Sequence, residues 1–297
     1  MPDNLVPQFT IHFTQLCLDG VITGSLYALF AIGLAVIYKA FRVINFAHGE
    51  LITWAAYLVI IFSHPPISLP LQMAILPAVA LTVLIGLAQD RLVYKPLRNA
   101  GHLGLMIASL GLSYLLRNTL VLVCGPGPRT YNVEINTVVT FLGLTITNIQ
   151  SVILLASLLL MGSFALFLYY TMPGKNLRAF FDNRELAHVM GVSTQKSAFS
   201  LWTTASLFAG CGGILLVMNT SLDPSMGPTI LIKAFAAFLL GGAGNIWGAL
   251  WGGLIIGVTE EFAGACMPSH SIDYIPIGAI IVAIVLRRVI LKRLRQK

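Results

Sequence analysis

A chain of 297 residues, 57% of them hydrophobic and only 10% charged, with a mean hydropathy of +0.85, has too few polar groups to cover a water-soluble globule and reads as an integral membrane protein. Its net charge of +7 would elsewhere point to nucleic acid, but in a membrane chain the placement of positive charge matters more than its sum, and no nucleic-acid partner is expected. The apolar runs are continuous instead of alternating, which excludes a membrane barrel and leaves an all-α, polytopic bundle of about eight transmembrane segments.

The first twenty residues carry no Lys or Arg. Without a basic leader, the run at 21–38 is expected to stay as an anchor. Further uncharged runs follow at 67–88, 103–116, 149–170, 197–220 and 245–259. About 20 helical residues cross the ~30 Å hydrocarbon layer, so most of these are long enough or nearly so. The shorter runs at 51–62 and 275–286 have Glu50 and Arg287 at their borders, where polar ends can snorkel.

Positive charge gathers in four places: Lys39 with Arg42; Arg91, Lys95 and Arg98; Lys175, Arg178, Arg184 and Lys196; and the stretch from Arg287 to Lys297. The positive-inside rule makes these cytoplasmic, so the chain is expected to start outside and end inside. That requires an odd number of crossings, whereas eight segments give an even one. The turn back is expected at 230–261, where "LLGGAGNIWGALWGG" interrupts an apolar run. Two uses stand for its glycines: Gly241, Gly242 and Gly244 permit a hairpin, and Gly244, Gly248 and Gly252, four apart, permit close helix contact.

Residues 124–149, with "GPGPRT" and the strand-like "VVTFLGLTIT", read as an external loop with structure of its own. Cys17, Cys124, Cys211 and Cys266 have no metal-ligand spacing. Cys124 and Cys266, both expected outside, either pair or remain apolar thiols.

The longest basic loop, 172–197, reads "MPGKNLRAFFDNRELAHVMGVSTQKS". Pro173 and Gly174 are expected to end the preceding helix. Asp182 with Glu185 forms a capping-box pattern, and Gly191 marks a stop. The two-turn helix between them would carry Leu186, Val189 and Met190 on one side. So short a helix is marginal alone in water and needs a surface: lipid headgroups, the protein's own helix ends, or a groove on a partner.

This loop, the following "LWTTASLFAGCGGILL" and "KAFAAFLLGGAGNIWGALWGGLIIGVTEE", and the earlier "GSLYALFAIGLAVIYKAFRVINFAHGELITWAAY" resemble the permease subunits of branched-chain amino acid ABC importers. Permeases for urea and short amides share the pattern. The resemblance implies a single transmembrane permease domain over residues 1–297 in the cytoplasmic (inner) membrane of a prokaryote. Its implied partners are a homologous second permease, two ATP-binding subunits carrying ATP and Mg, and an external solute-binding protein. It also implies that Asn183, Arg184, Glu185, Leu186, Ala187, Val189, Met190 and Gly191 dock onto an ATP-binding subunit, and that the path lies between the two permeases. The chain itself has no G-x-x-x-x-G-K-[ST] stretch, so neither ATP binding through a P-loop nor enzyme activity is expected of it. A stand-alone channel or gradient-driven carrier is the alternative class. Proton relays use acids within the membrane, and every Asp and Glu is expected at a segment border or in a loop, which favours ATP as the energy source.

Two polar groupings remain. In "FRVINFAHGELITW", residues 41–54, Asn45 is expected to cap the helix that follows and Glu50 to complement its dipole. Arg42, Asn45, His48 and Glu50 then either satisfy the backbone and one another at a tight turn or line and gate the inner end of a path, with Asn45 and His48 foremost. His48 has no second histidine or cysteine nearby, so no metal site is expected. Arg117, in "LSYLLRNTLVLVC", is read as the only basic residue well inside an uncharged run. It either snorkels outward or holds a substrate carboxylate.

Overall fold

The computed structural model describes residues 5–65, 67–131, 138–141, 144–268 and 274–295. It is a helical bundle, with five helices among the described residues long and apolar enough to cross a membrane and several shorter apolar ones. The first helix, α1, spans Leu5–Phe41, beginning well before the apolar run at 21–38. The added turns are held by polar contacts that hydropathy does not register. Gln15 donates to the Thr145 carbonyl at 3.0 Å and accepts from the Thr145 amide at 2.9 Å, while Asp19 accepts from Gln150 at 3.1 Å.

Helix α2, His48–Ser63, is buried along almost its whole length. Helix α3, Leu71–Gln89, runs on through a π turn, Asp90–Tyr94, and a 3-10 turn, Pro96–Asn99, into α4, Gly101–Cys124. The expected external structure is a short antiparallel hairpin of β1, Val138–Phe141, and β2, Leu144–Thr147, with Val138 opposite Thr147. Thr147 then closes a capping box with Gln150 at the start of α5, Asn148–Tyr170. The four cysteines are free, Cys124 buried and Cys266 exposed.

Pro173 does not simply end α5. It occupies the first turn of a new amphipathic helix, α6, Met172–Asp182, capped by Thr171, as suits a residue whose missing N–H is spare there. Helix α7, Arg184–Val189, and the long α8, Thr194–Asn219, follow. Helices α9, Met226–Leu240, and α10, Ile246–Cys266, are the two arms of the expected hairpin, and α11, Tyr274–Arg295, completes the chain.

Basic residues from three loops meet at one end of the bundle, here the basic end. Arg98 and Arg184 lie over Phe41, Lys39 over Phe181 and Arg178 over Tyr169. Trp247, just past the hairpin apex, stacks on Tyr169, so α9 and α10 meet at that end and α10 returns from it. Both uses foreseen for the glycines occur, divided among different residues. Gly242 and Gly244 take φ of +92° in the turn, so Gly244 turns the chain and does not pack. A Cβ on Gly248 or Gly252 would overlap the backbone of Gly241 or Ala237 on α9.

A second glycine face on α10 meets α1. A Cβ on Gly253 would sit 2.5 Å from Ala28 Cα, and from α1 a Cβ on Gly24 would sit 2.8 Å from Leu254 Cα and one on Gly20 2.6 Å from Val258 Cα. These backbones touch, and that contact places α1 at the centre. From Gly24 to Ile37 α1 is buried throughout, whereas few of the apolar side chains of α3, α4 and α5 are buried, as suits lipid.

Two acids lie inside the bundle, contrary to the expectation of acids only at borders and in loops. Glu50 is 1% exposed, and Glu260 on α10 is also buried. Glu260 is paired with Lys233 of α9, which also reaches the Tyr27 hydroxyl at 3.3 Å. Arg117 is therefore not the only basic residue inside an apolar run. Lys233 itself is visible in the apolar run 230–240, but its pairing with Glu260, 27 residues on and on the other arm of the hairpin, is not.

Candidate functional site

After α1 the chain does not turn directly into α2. Arg42 adopts φ of +56°, and residues 42–47 lead non-helically back into the bundle, so that α2 begins about halfway along its neighbours. Glu50 accepts from Ser113 at 3.0 Å, and Ser113 lies midway along α4. A Cβ on Gly86 would lie 3.6 Å from Leu51 and would overlap Ser206 Oγ, and Ser206 lies midway along α8. Non-helical backbone at that depth is tolerated where protein surrounds it, and here Val43, Asn45 and Ala47 are all buried.

The polar residues of this stretch do not satisfy one another. Arg42 stacks over Tyr38 at 5.9 Å, while Asn45 accepts from the Tyr94 hydroxyl at 2.6 Å. The N-cap of α2 is Ala47, with no side-chain cap. The expectation that Asn45 caps α2 is therefore wrong: its side chain is taken by the π turn after α3, a tertiary contact that outcompetes the local one. Glu50 does sit in the first turn of α2, on the favourable side of the dipole. The His48 ring is fully buried and lies 2.8 Å from where Gly33 would carry a Cβ, so only glycine on α1 admits it. Tyr94→Phe should leave the buried Asn45 carbonyl unpaired and cost about 1–3 kcal/mol. Thermal denaturation of the purified chain, falling by several degrees, is the check.

Arg117 is half-buried one turn beyond Ser113 on α4, and no ion pair joins it to a carboxylate among the described residues. Its charge acts on Glu50 and Asp223 from a distance. Beside it, a cavity of about 300 Å³ opens between α4, α9 and the non-helical segment, walled by Phe46, Ser113, Arg117, Leu231, Ile232 and Phe235. Behind this wall, Glu50 Oε2 is buried without a hydrogen-bond partner, 3.0 Å from where Gly227 of α9 would carry a Cβ. The structure thus brings Glu50 and Arg117 to one place, and leaves Asn45 and His48 on its basic side. Ser113 and Tyr94 were missed. The i, i+4 spacing of Ser113 and Arg117 was the available signal for the first, while nothing local marks Tyr94.

At the basic end, α7 is shaped much as expected, with one correction. Its cap is Asn183, whose Oδ1 accepts from the Leu186 amide at 3.0 Å. Asp182 closes α6 instead, so there is no Asp182–Glu185 box. Gly191 stops the helix with φ of +86°. Ala187 is buried, while Leu186, Val189 and Met190 are 58%, 81% and 76% exposed and form an apolar side with nothing on it. Arg184 lies over Phe180 and Phe41. Burial, and then the Arg98 charge, hold its pKa below the usual arginine value. A cavity of about 180 Å³ lies here between Phe41, Asp90, Arg98, Arg184 and Trp202, and the Asp90–Arg98 pair spans 3.3 Å beside it. Arg184 thereby connects α7 to the last residue of α1, from which the non-helical segment departs.

Residues 16–285 match the family described as branched-chain amino acid transport system / permease component. The high-affinity branched-chain amino acid transport system permease protein LivH of Salmonella typhimurium is 29% identical, with 92% of this chain and 93% of LivH covered. BraD of Pseudomonas aeruginosa, described in the same words, is 27% identical over 93% and 94%. A probable branched-chain amino acid transport permease protein LivH of Methanocaldococcus jannaschii is 32% identical over 83% and 80%. Among solved structures, PsaBC from Streptococcus pneumoniae in complex with Fab superposes with a TM-score of 0.51 at 13% identity, covering 92% of this chain and 91% of that one, a likeness of fold alone. With a family model matching residues 16–285, about nine-tenths of its length, the chain belongs to the permease-component family of branched-chain amino acid transport systems.

Proposed function

We propose that this permease works in an ATP-driven importer that carries branched-chain or other neutral α-amino acids inward across the cytoplasmic membrane of a prokaryote. The basic end faces the cytoplasm. A homologous second permease, two ATP-binding subunits that hold ATP and Mg, and an external solute-binding protein complete the assembly. The observation that carries this reading is α7: a capped helix whose apolar side is exposed at the basic end, in a chain of this family. Such a side fits a groove on a partner, which can move it as a rigid body.

A second reading keeps the machine and changes the cargo to urea or a short amide, and Arg117 weighs against it because a neutral carbonyl pairs with a guanidinium more weakly than a carboxylate does. A gradient-driven carrier is no longer disfavoured by the placement of acids, since Glu50 and Glu260 are buried. It is disfavoured by α7, for which a carrier has no use.

The test is uptake of radiolabelled leucine into proteoliposomes holding the assembled complex and its binding protein. Uptake is expected only with internal-face ATP, and cysteine at Ser68 is expected to react with an impermeant thiol reagent from the outside alone. Uptake by this chain without ATP would establish the carrier, and uptake of urea but not leucine would establish the second cargo.

A further inference from the structure

We propose that the cavity between α4 and α9 is a binding site for one free neutral α-amino acid, with Arg117 holding its carboxylate and Ser113, backed by Glu50, holding its ammonium. This deepens the importer reading above and rests on it. The argument starts from two charges that the fold leaves incomplete. A charge within an apolar span is costly and persists where something pairs with it. Arg117 forms no ion pair among the described residues, yet its fork of donors is made for a carboxylate. Glu50 has one oxygen on Ser113 and the other buried with no partner. Neither charge meets the other directly: Arg117 lines the cavity beside Ser113, and Glu50 lies behind Ser113.

The hydroxyl between them has a defined polarity. Ser113 donates its only hydrogen to Glu50, so its lone pairs are free to accept. In the cavity wall it therefore suits a donor such as an ammonium, with the Glu50 carboxylate behind it supplying the opposite charge. Ser113 and Arg117 are one turn apart, a rise of about 6 Å, a span that an α-amino acid lying along α4 covers with its two charged groups and their hydrogen bonds. Leu231, Ile232 and Phe235 of α9 face this axis across the cavity and receive an aliphatic side chain. A volume of about 300 Å³ is at the lower end of small-molecule sites, enough for one small ligand.

Recognition of this kind discriminates by what is missing. A site built around paired polar groups rejects an analogue that lacks one of them, because a protein charge is then left bare. Three probes share the leucine side chain: leucine, leucinamide without the carboxylate, and 4-methylpentanoate without the ammonium.

The experiment uses the full chain in nanodiscs, with its four cysteines replaced by serine and Ile232→Cys placed in the wall as reporter. The rate of modification by a methanethiosulfonate reagent is measured against each probe. Saturating leucine should slow modification about ten-fold, whereas leucinamide and 4-methylpentanoate should need roughly 10- to 100-fold higher concentrations for the same protection. Arg117→Gln should weaken protection by leucine to a similar degree, and Arg117→Lys should restore part of it. The near-isosteric Glu50→Gln should weaken protection by leucine while leaving that by 4-methylpentanoate unchanged.

The site is overturned if leucine leaves the rate unaltered, if leucinamide protects as well as leucine, or if Arg117→Gln is protected normally. If that happens while the assembled complex still imports leucine with ATP, the importer reading stands and only this site falls. If the complex imports urea and not leucine, and urea protects the reporter, both fall together.

Discussion

Chains carrying Leu186→Asp or Val189→Asp are expected to insert and fold normally, then lose the ATP-binding subunits on purification. Both side chains are mostly exposed, so the free permease should shift by no more than about 0.5 kcal/mol. Docking into an apolar groove would instead bury an unpaired carboxylate, which costs several kcal/mol, and each 1.4 kcal/mol is about ten-fold in affinity. Binding should therefore weaken by about two to three orders of magnitude, with leucine uptake lost and association with the second permease kept. Glu185→Arg, on the same exposed helix, should weaken docking less, since a rim charge is worth less than a desolvated one. Co-purification and uptake are the readouts. Normal, ATP-stimulated transport with both aspartate variants would remove α7 from the docking surface and return it to lipid.

The second large effect is on the bundle itself. Gly257→Val should abolish recovery of folded protein or lower its melting temperature by about ten degrees. A Cβ on Gly257 would overlap the Gly24 backbone, and a backbone cannot rotate away as a side chain can. Overpacking usually costs about 1–3 kcal/mol, and this contact, with no flexible neighbour to yield, belongs at or beyond the top of that range. The control is Gly162→Ala, in the middle of α5 with no atom near enough to meet a new methyl. There the change should be neutral or stabilising by up to about 1 kcal/mol. Size-exclusion after graded heating in detergent distinguishes the two, and equal melting curves would show that α1 and α10 do not touch as described.

What could be read from the sequence was whatever depends on neighbours along the chain. Composition pointed to the membrane bundle, charge to the basic end, Gly191 to the stop of α7, and the strand-like "VVTFLGLTIT" to structure within the loop before α5. What could not be read depends on partners far along the chain. Asn45 had the right chemistry to cap α2, but Tyr94 takes its oxygen. Glu50 resembled a border residue because a hydropathy break is the same whether a helix starts at the membrane surface or halfway through it. Gly253 and Gly257 were hidden by Gly248 and Gly252, since one glycine-rich stretch serves two faces and periodicity alone does not say which helix each face meets.

The half-depth start of α2 also sets an order of events during synthesis. Glu50 and Ser113 are 63 residues apart, and at about 5–20 residues per second the ribosome delivers the second roughly 3–13 s after the first. Through that interval a carboxylate at the head of α2 has no hydroxyl to receive it, and the hydrocarbon layer is the wrong place for it to wait. The buried position of Glu50 is therefore complete only once α4 has been made and packed against α2. Asn45 waits likewise for Tyr94, 49 residues on.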